Sequence, residues 1–185
     1  MQKSMLRPCG FTLIELLMAV AILAVLLALA APSYGKLIGR TRSHAAGETL
    51  HGALNLARTT AVSRGAHAVV CPSADQRSCD RTTHWQRGWI VFADVDRDRT
   101  RSDDEPLIAV AQAQPAGVAI VTSSGRPRVA YRPDGSAEGT NLSLTVCDRA
   151  GGPAAATRLT VNNAGRVRRS APTPAQAAAC LRVAG

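Results

Sequence analysis

From Phe11 to Ala31 nearly every position is apolar, and Glu15 is the one ionisable residue among the 21. A helix needs roughly 20 such residues to cross a bilayer, so the pattern predicts a membrane span over 11–31. A secretory signal peptide is the competing reading. Its apolar core usually runs to about 7–15 residues before a small-residue cleavage site, and Ala30-Ala31 ahead of Pro32 leaves that cleavage open. Glu15 favours a retained segment, because a carboxylate one turn inside an apolar helix is costly and is kept for a specific partner. Pro32 predicts a kink, since it lacks an amide donor and crowds the preceding turn. Beyond it Leu50, Leu54, Ala57 and Ala61 recur at helical spacing, with Glu48, His51, Arg58 and Arg64 off that stripe. The pattern predicts an amphipathic helix over 32–64 with a stop at Gly65. At 1.5 Å per residue a helix over 11–64 would be about 80 Å long.

After Gly65 the spacing changes to short apolar or alternating runs between turn signals, the mark of an antiparallel sheet. The predicted strands are 66–71, 88–93, 107–113, 118–123, 129–132, 142–147 and 157–161 running on into 166–169. Pro133-Asp134-Gly135-Ser136 and Asn162-Asn163-Ala164-Gly165 supply turn chemistry. The expected fold is α+β: a long N-terminal helix, half transmembrane and half amphipathic, packed on a mainly antiparallel β-sheet head over 65–185 with a basic C-terminal segment.

Charge changes this picture by its placement. The 185 residues carry a net +9, yet 65–148 is slightly acidic, while the last 37 residues hold six arginines and no acidic residue. Such a local patch suits a polyanion. With six aromatic residues in the chain and none after Tyr131, a nucleic-acid reader built on stacked rings is excluded. Within the tail, Gly165-Arg166-Val167-Arg168-Arg169 follows a polar turn. In an extended strand Arg166 and Arg168 share a face at roughly 7 Å, close to the phosphate spacing along one strand, and Arg169 points the other way. The planar guanidinium can donate two hydrogen bonds to one phosphate. Arg158 joins them as a candidate contact. Basic residues flank the apolar segment on both sides, so they do not orient it.

Cys71, Cys79, Cys147 and Cys180 form an even set without C-x-x-C pairs, which predicts two disulfides in an oxidising compartment. Three connectivities are possible. Pairing Cys71 with Cys79 and Cys147 with Cys180 is preferred, because Cys180 would then tie the Pro172-Thr173-Pro174 tail to the last strands.

Asp94-x-Asp96-x-Asp98, with Glu105 eleven residues after Asp94, reproduces the acidic positions of an EF-hand loop. Arg99 stands where the sharp turn wants glycine, strands rather than helices flank the loop, and Arg97, Arg99 and Arg101 can neutralise the carboxylates. A solvated hairpin loop is therefore expected, with no metal or cofactor. No nucleophile motif accompanies His67 or His84, and no phosphate-cradling loop or H-E-x-x-H occurs, so no enzymatic activity is expected.

The run Cys9-Gly10-Phe11-Thr12-Leu13-Ile14-Glu15, after a short basic leader, resembles the processing site of the type IV pilin and type II secretion pseudopilin superfamily. The resemblance implies a leader over 1–10, cleavage by a prepilin peptidase between Gly10 and Phe11, and methylation of the new Phe11 amine. Glu15 would then pair with the amine of a neighbouring subunit during assembly. Trp85, Gly88-Trp89-Ile90-Val91-Phe92, Tyr131-Arg132-Pro133-Asp134-Gly135 and Asn163-Ala164-Gly165-Arg166 resemble the GspH/FimT branch of minor pilins, whose fold is a helix packed on two sheets. Gly165, Arg166 and Arg168 resemble the Gly-Arg-x-Arg motif of FimT-type pilins that take up DNA in natural transformation. What this implies is a single-pass protein of the bacterial inner membrane with a periplasmic head, assembled into a pilus with other pilin subunits, binding DNA non-specifically through its phosphates. The alternative is a GspH-like or FimU-like subunit that primes pilus or secretion filament assembly without touching DNA.

Overall fold

Thr12 begins the ordered helix by accepting the Glu15 amide on its hydroxyl (3.3 Å), and Gly65 ends it. Between them lies α1, Leu13–Arg64, which runs through position 32. The end is a Schellman motif: Gly65, at φ +61°, donates to Val62 O, and Ala66 donates to Ala61 O. The computed structural model describes residues 11–123, 125–139 and 141–185; the leader, with Cys9 and Gly10, lies outside the described residues. Two units are distinguished, one ending at Gly35 and one running Lys36–Gly185. In the first, the apolar residues from Leu13 to Leu29 are exposed along the helix, as befits a segment with the length and composition to cross a membrane.

In the second unit the chain forms two four-stranded antiparallel sheets. One is built from β1 (His67–Pro72), β2 (Trp89–Asp94), β3 (Leu107–Ala111) and β5 (Val129–Tyr131), in the order β3-β2-β1-β5. The other takes β4 (Val118–Thr122), β6 (Leu142–Asp148), β7 (Thr157–Val161) and β8 (Val167–Ser170), in the order β4-β6-β7-β8. The strands match the predicted ones to within two residues. The second half of α1 lays Leu50, Leu54, Ala57 and Ala61, all essentially inaccessible, against the inner faces of both sheets. Trp85, Trp89, Tyr131, Leu144 and Leu159 complete that core.

The expected C-terminal tail is instead a helix, α2 (Pro174–Val183). Thr173 caps it, Pro174 occupies its first turn, and Gln176 closes a capping box. Ala177, Cys180 and Ala184 pack on Ala119 and Cys147, so α2 covers part of the outer face of the β4-β6-β7-β8 sheet. Disulfides join Cys71 to Cys79 and Cys147 to Cys180, and the second ties α2 to β6.

Candidate functional site

Alternation along β7 and β8 sorts the C-terminal arginines into two faces. Leu159 and Val161 belong to the core, Val167 packs against it, and Leu159 lies opposite Arg169. Val167 and Arg169 therefore point towards α1. Arg169 forms an ion pair with Glu48, which also lies 3.5 Å from His44. The hydrogen-bonded Arg169 guanidinium holds the Glu48 carboxyl below the usual carboxylate range. Arg169 is thus engaged on the helix side, away from the face that Arg168 presents.

On the outward face the register sets Arg158 opposite Ser170 and Thr160 opposite Arg168. Arg158 is held: its Nε donates to Ser170 Oγ (3.1 Å) and its Nη1 to Gln176 Oε1 (3.3 Å). Gln176 also accepts the Thr173 amide (2.9 Å), so the cap of α2 and the position of Arg158 are set by one side chain. Arg166 and Arg168 are exposed, and among the described residues neither guanidinium has a hydrogen-bond or ion-pair partner. β8 is an edge strand, so its outer rim is open. The five residues singled out in the sequence thus divide into two free cations, two tethered ones and a glycine.

That glycine is buried and serves the turn. Gly165 sits at φ +74°, and a β-carbon on it would overlap the Gly135 carbonyl oxygen. Arg58, reaching from α1, donates through Nε to that same oxygen (2.9 Å) and through Nη2 to Ala164 O (3.3 Å). Asn162 accepts the Arg166 amide on Oδ1 (2.9 Å) and donates its own amide to Arg166 O (3.1 Å). The residue bearing the first free cation is therefore anchored by its backbone to a turn that Arg58 pins to the helix. Arg58 was legible in sequence as an off-stripe residue, but its partners lie 77 and 106 positions away. Glu48 and Gln176 were missed as partners for the same reason.

At the other end of the chain Phe11 and the Glu15 side chain are exposed, and among the described residues the Glu15 carboxylate has no partner within the chain. A carboxylate on an apolar helix surface is suited to a cation from another chain.

A family model described as type II transport protein GspH matches residues 46–165, and the prokaryotic N-terminal methylation motif matches residues 5–31. In structure the chain is similar to the type IV minor pilin FimU of Pseudomonas aeruginosa strain PAO1, at 18% identity and a TM-score of 0.58, over 72% of this chain and 95% of that one. It is also similar to the minor pseudopilin EpsH of the Vibrio cholerae type 2 secretion system, at 15% identity and a TM-score of 0.51, over 71% of this chain and 98% of that one. No curated protein matches the chain.

Proposed function

Since this chain belongs to the GspH family of minor pilins and pseudopilins, we propose that it is a filament subunit whose exposed edge strand holds DNA by its phosphates. Before assembly, the apolar part of α1 anchors it in the bacterial inner membrane with the head in the periplasm. A prepilin peptidase cuts after Gly10 and methylates Phe11, and Glu15 pairs with the amine of a neighbouring subunit as the filament forms. The role is structural and binding, with no catalytic step.

One observation carries the DNA reading: Arg166 and Arg168 are exposed on an edge strand with no partner among the described residues, while Arg158 and Arg169 are tethered. Neither cation has to break an intramolecular ion pair or hydrogen bond in order to meet a phosphate. No aromatic residue follows Tyr131 to stack on bases, so contact rests on charge and is indifferent to sequence.

The test uses the full mature chain in detergent, titrated with a random-sequence duplex at several salt concentrations. Arg166→Ala/Arg168→Ala is expected to weaken binding equally for unrelated sequences and to reduce the slope of log K against log salt by roughly 1.8, at about 0.9 per phosphate contact. Glu48→Gln, which releases Arg169, is expected to leave affinity unchanged or raise it. Wild-type affinity and slope in the double variant would overturn the DNA reading. Normal transformation with failed piliation or secretion in a deletion strain would then favour a GspH-like or FimU-like assembly role.

A further inference from the structure

The loop that leaves β2 brings three carboxylates together without a counter-charge. Ligand oxygens of Asp94, Asp96 and Asp98 all lie within 4.8 Å of one another. Asp94 is 1% exposed. Its Oδ1 accepts the Arg99 amide at 3.3 Å, while its Oδ2 is fully buried and has no hydrogen-bond partner. A buried carboxylate oxygen with nothing to accept from is costly, and two further carboxylates beside it add like-charge repulsion.

Two of the three arginines that the sequence offers as neutralising partners, Arg99 and Arg101, are engaged elsewhere. Arg99 pairs with Glu138 at 2.7 Å. Arg101 donates to the Arg77 carbonyl at 2.9 Å and lies 3.9 Å from Asp103. Among the described residues, no cationic side chain is paired with Asp94, Asp96 or Asp98. The objection that Arg99 replaces a turn glycine also falls, because Arg99 adopts the left-handed conformation at φ 62°, as does Arg97 at φ 67°. Glu105, 4% exposed, closes the loop: Oε1 accepts the Val95 amide (2.7 Å) and Oε2 the Ser102 amide (3.1 Å). The cluster is therefore held together by backbone donors although its charges repel.

We propose that Asp94, Asp96 and Asp98 bind a calcium ion, with Glu105 bracing the loop that carries them. The donors are all hard carboxylate oxygens, with no imidazole or thiolate to select zinc or copper. A loop with two exposed carboxylates suits the larger, geometrically tolerant calcium better than octahedral magnesium.

The experiment is calcium titration of the full chain in detergent after chelator treatment, followed by calorimetry and by thermal unfolding. One saturable site is expected by calorimetry, with Kd no weaker than the 10⁻⁴–10⁻³ M order of extracellular calcium modules, and a Tm that goes on rising with the logarithm of calcium concentration above that Kd. Asp96→Asn/Asp98→Asn, at exposed positions, is expected to abolish both responses without lowering Tm in chelator. Asp98→Asn alone should weaken binding at least tenfold. Asp103→Asn/Asp104→Asn, in the same loop but outside the cluster, should retain the wild-type response. No saturable binding by the wild type, an equal response of the Asp96/Asp98 variants, or an equal Tm rise in magnesium would each overturn the assignment.

Discussion

Alanine in place of both Cys147 and Cys180 is expected to lower the stability of the head by about 3–4 kcal/mol, the chain-entropy value for a loop of this length. The bridge spans 33 positions and fastens α2 to β6. Ten residues are too few for a helix that stands alone in water, so α2 depends on what holds it. Its apolar contribution is small, chiefly Ala177, Cys180 and Ala184, and its capping box adds of order 1 kcal/mol. Removing Cys71 and Cys79 instead, whose loop spans 8 positions, should cost about 2–3 kcal/mol on the same reasoning. Denaturant unfolding of the two paired variants gives the comparison, and hydrogen exchange shows whether α2 opens. A loss below about 1 kcal/mol in the Cys147/Cys180 variant would mean that packing, rather than the bridge, seats the helix. Opening of α2 in the same variant should also cost Arg158 its bond to Gln176, leaving the one to Ser170 Oγ.

Gly165→Ala is expected to destabilise by roughly 2–5 kcal/mol. The left-handed backbone costs a non-glycine residue about 1–2 kcal/mol, and the overlap with Gly135 O forces two turns apart at a further cost of about 1–3 kcal/mol. Arg58 Nε, 3.1 Å from the added carbon, would lose its acceptor in the process. At about 2–4 °C per kcal/mol for a chain of this size, the drop in Tm should be about 5–20 °C. Gly52→Ala is the control: nothing lies within 4 Å of an added carbon there, and alanine should stabilise that helical position by up to about 1 kcal/mol. An unchanged Tm for Gly165→Ala would show that the two turns are free to separate. Packing alone requires glycine at this position, so under the proposed DNA reading a loss of binding in Gly165→Ala is expected to report a displaced Arg166.

The strands were legible because each is a short apolar run between turn residues, and Leu50, Leu54, Ala57 and Ala61 gave away the buried helix face by their spacing. The last helix was hidden in plain view. Pro172 and Pro174 read as a tail, although Thr173, Pro174 and Gln176 together spell a capping box opening on a proline. The division of the arginines was partly legible: alternation alone sends Arg169 away from Arg166 and Arg168. That Glu48 would be waiting on the other side was not, because a partner 121 positions earlier in the chain leaves no local trace. The acidic loop shows the opposite case. Its spacing was visible, but the directions taken by Arg99 and Arg101 depend on Glu138 and Arg77, which only the folded sheet brings near.

The buried stripe on α1 has a consequence for how the chain is made. Leu50 through Ala61 leave the ribosome well before their partners, and Val161, the last fully buried strand residue of that core, follows Ala61 by 100 residues. At synthesis rates of about 5–20 residues per second, that interval is about 5–20 s. Throughout it the span can already be lodged in a membrane while the adjoining apolar stripe waits uncovered. The nascent chain thus carries an uncovered apolar face for a fixed interval, one that ends when the second sheet arrives.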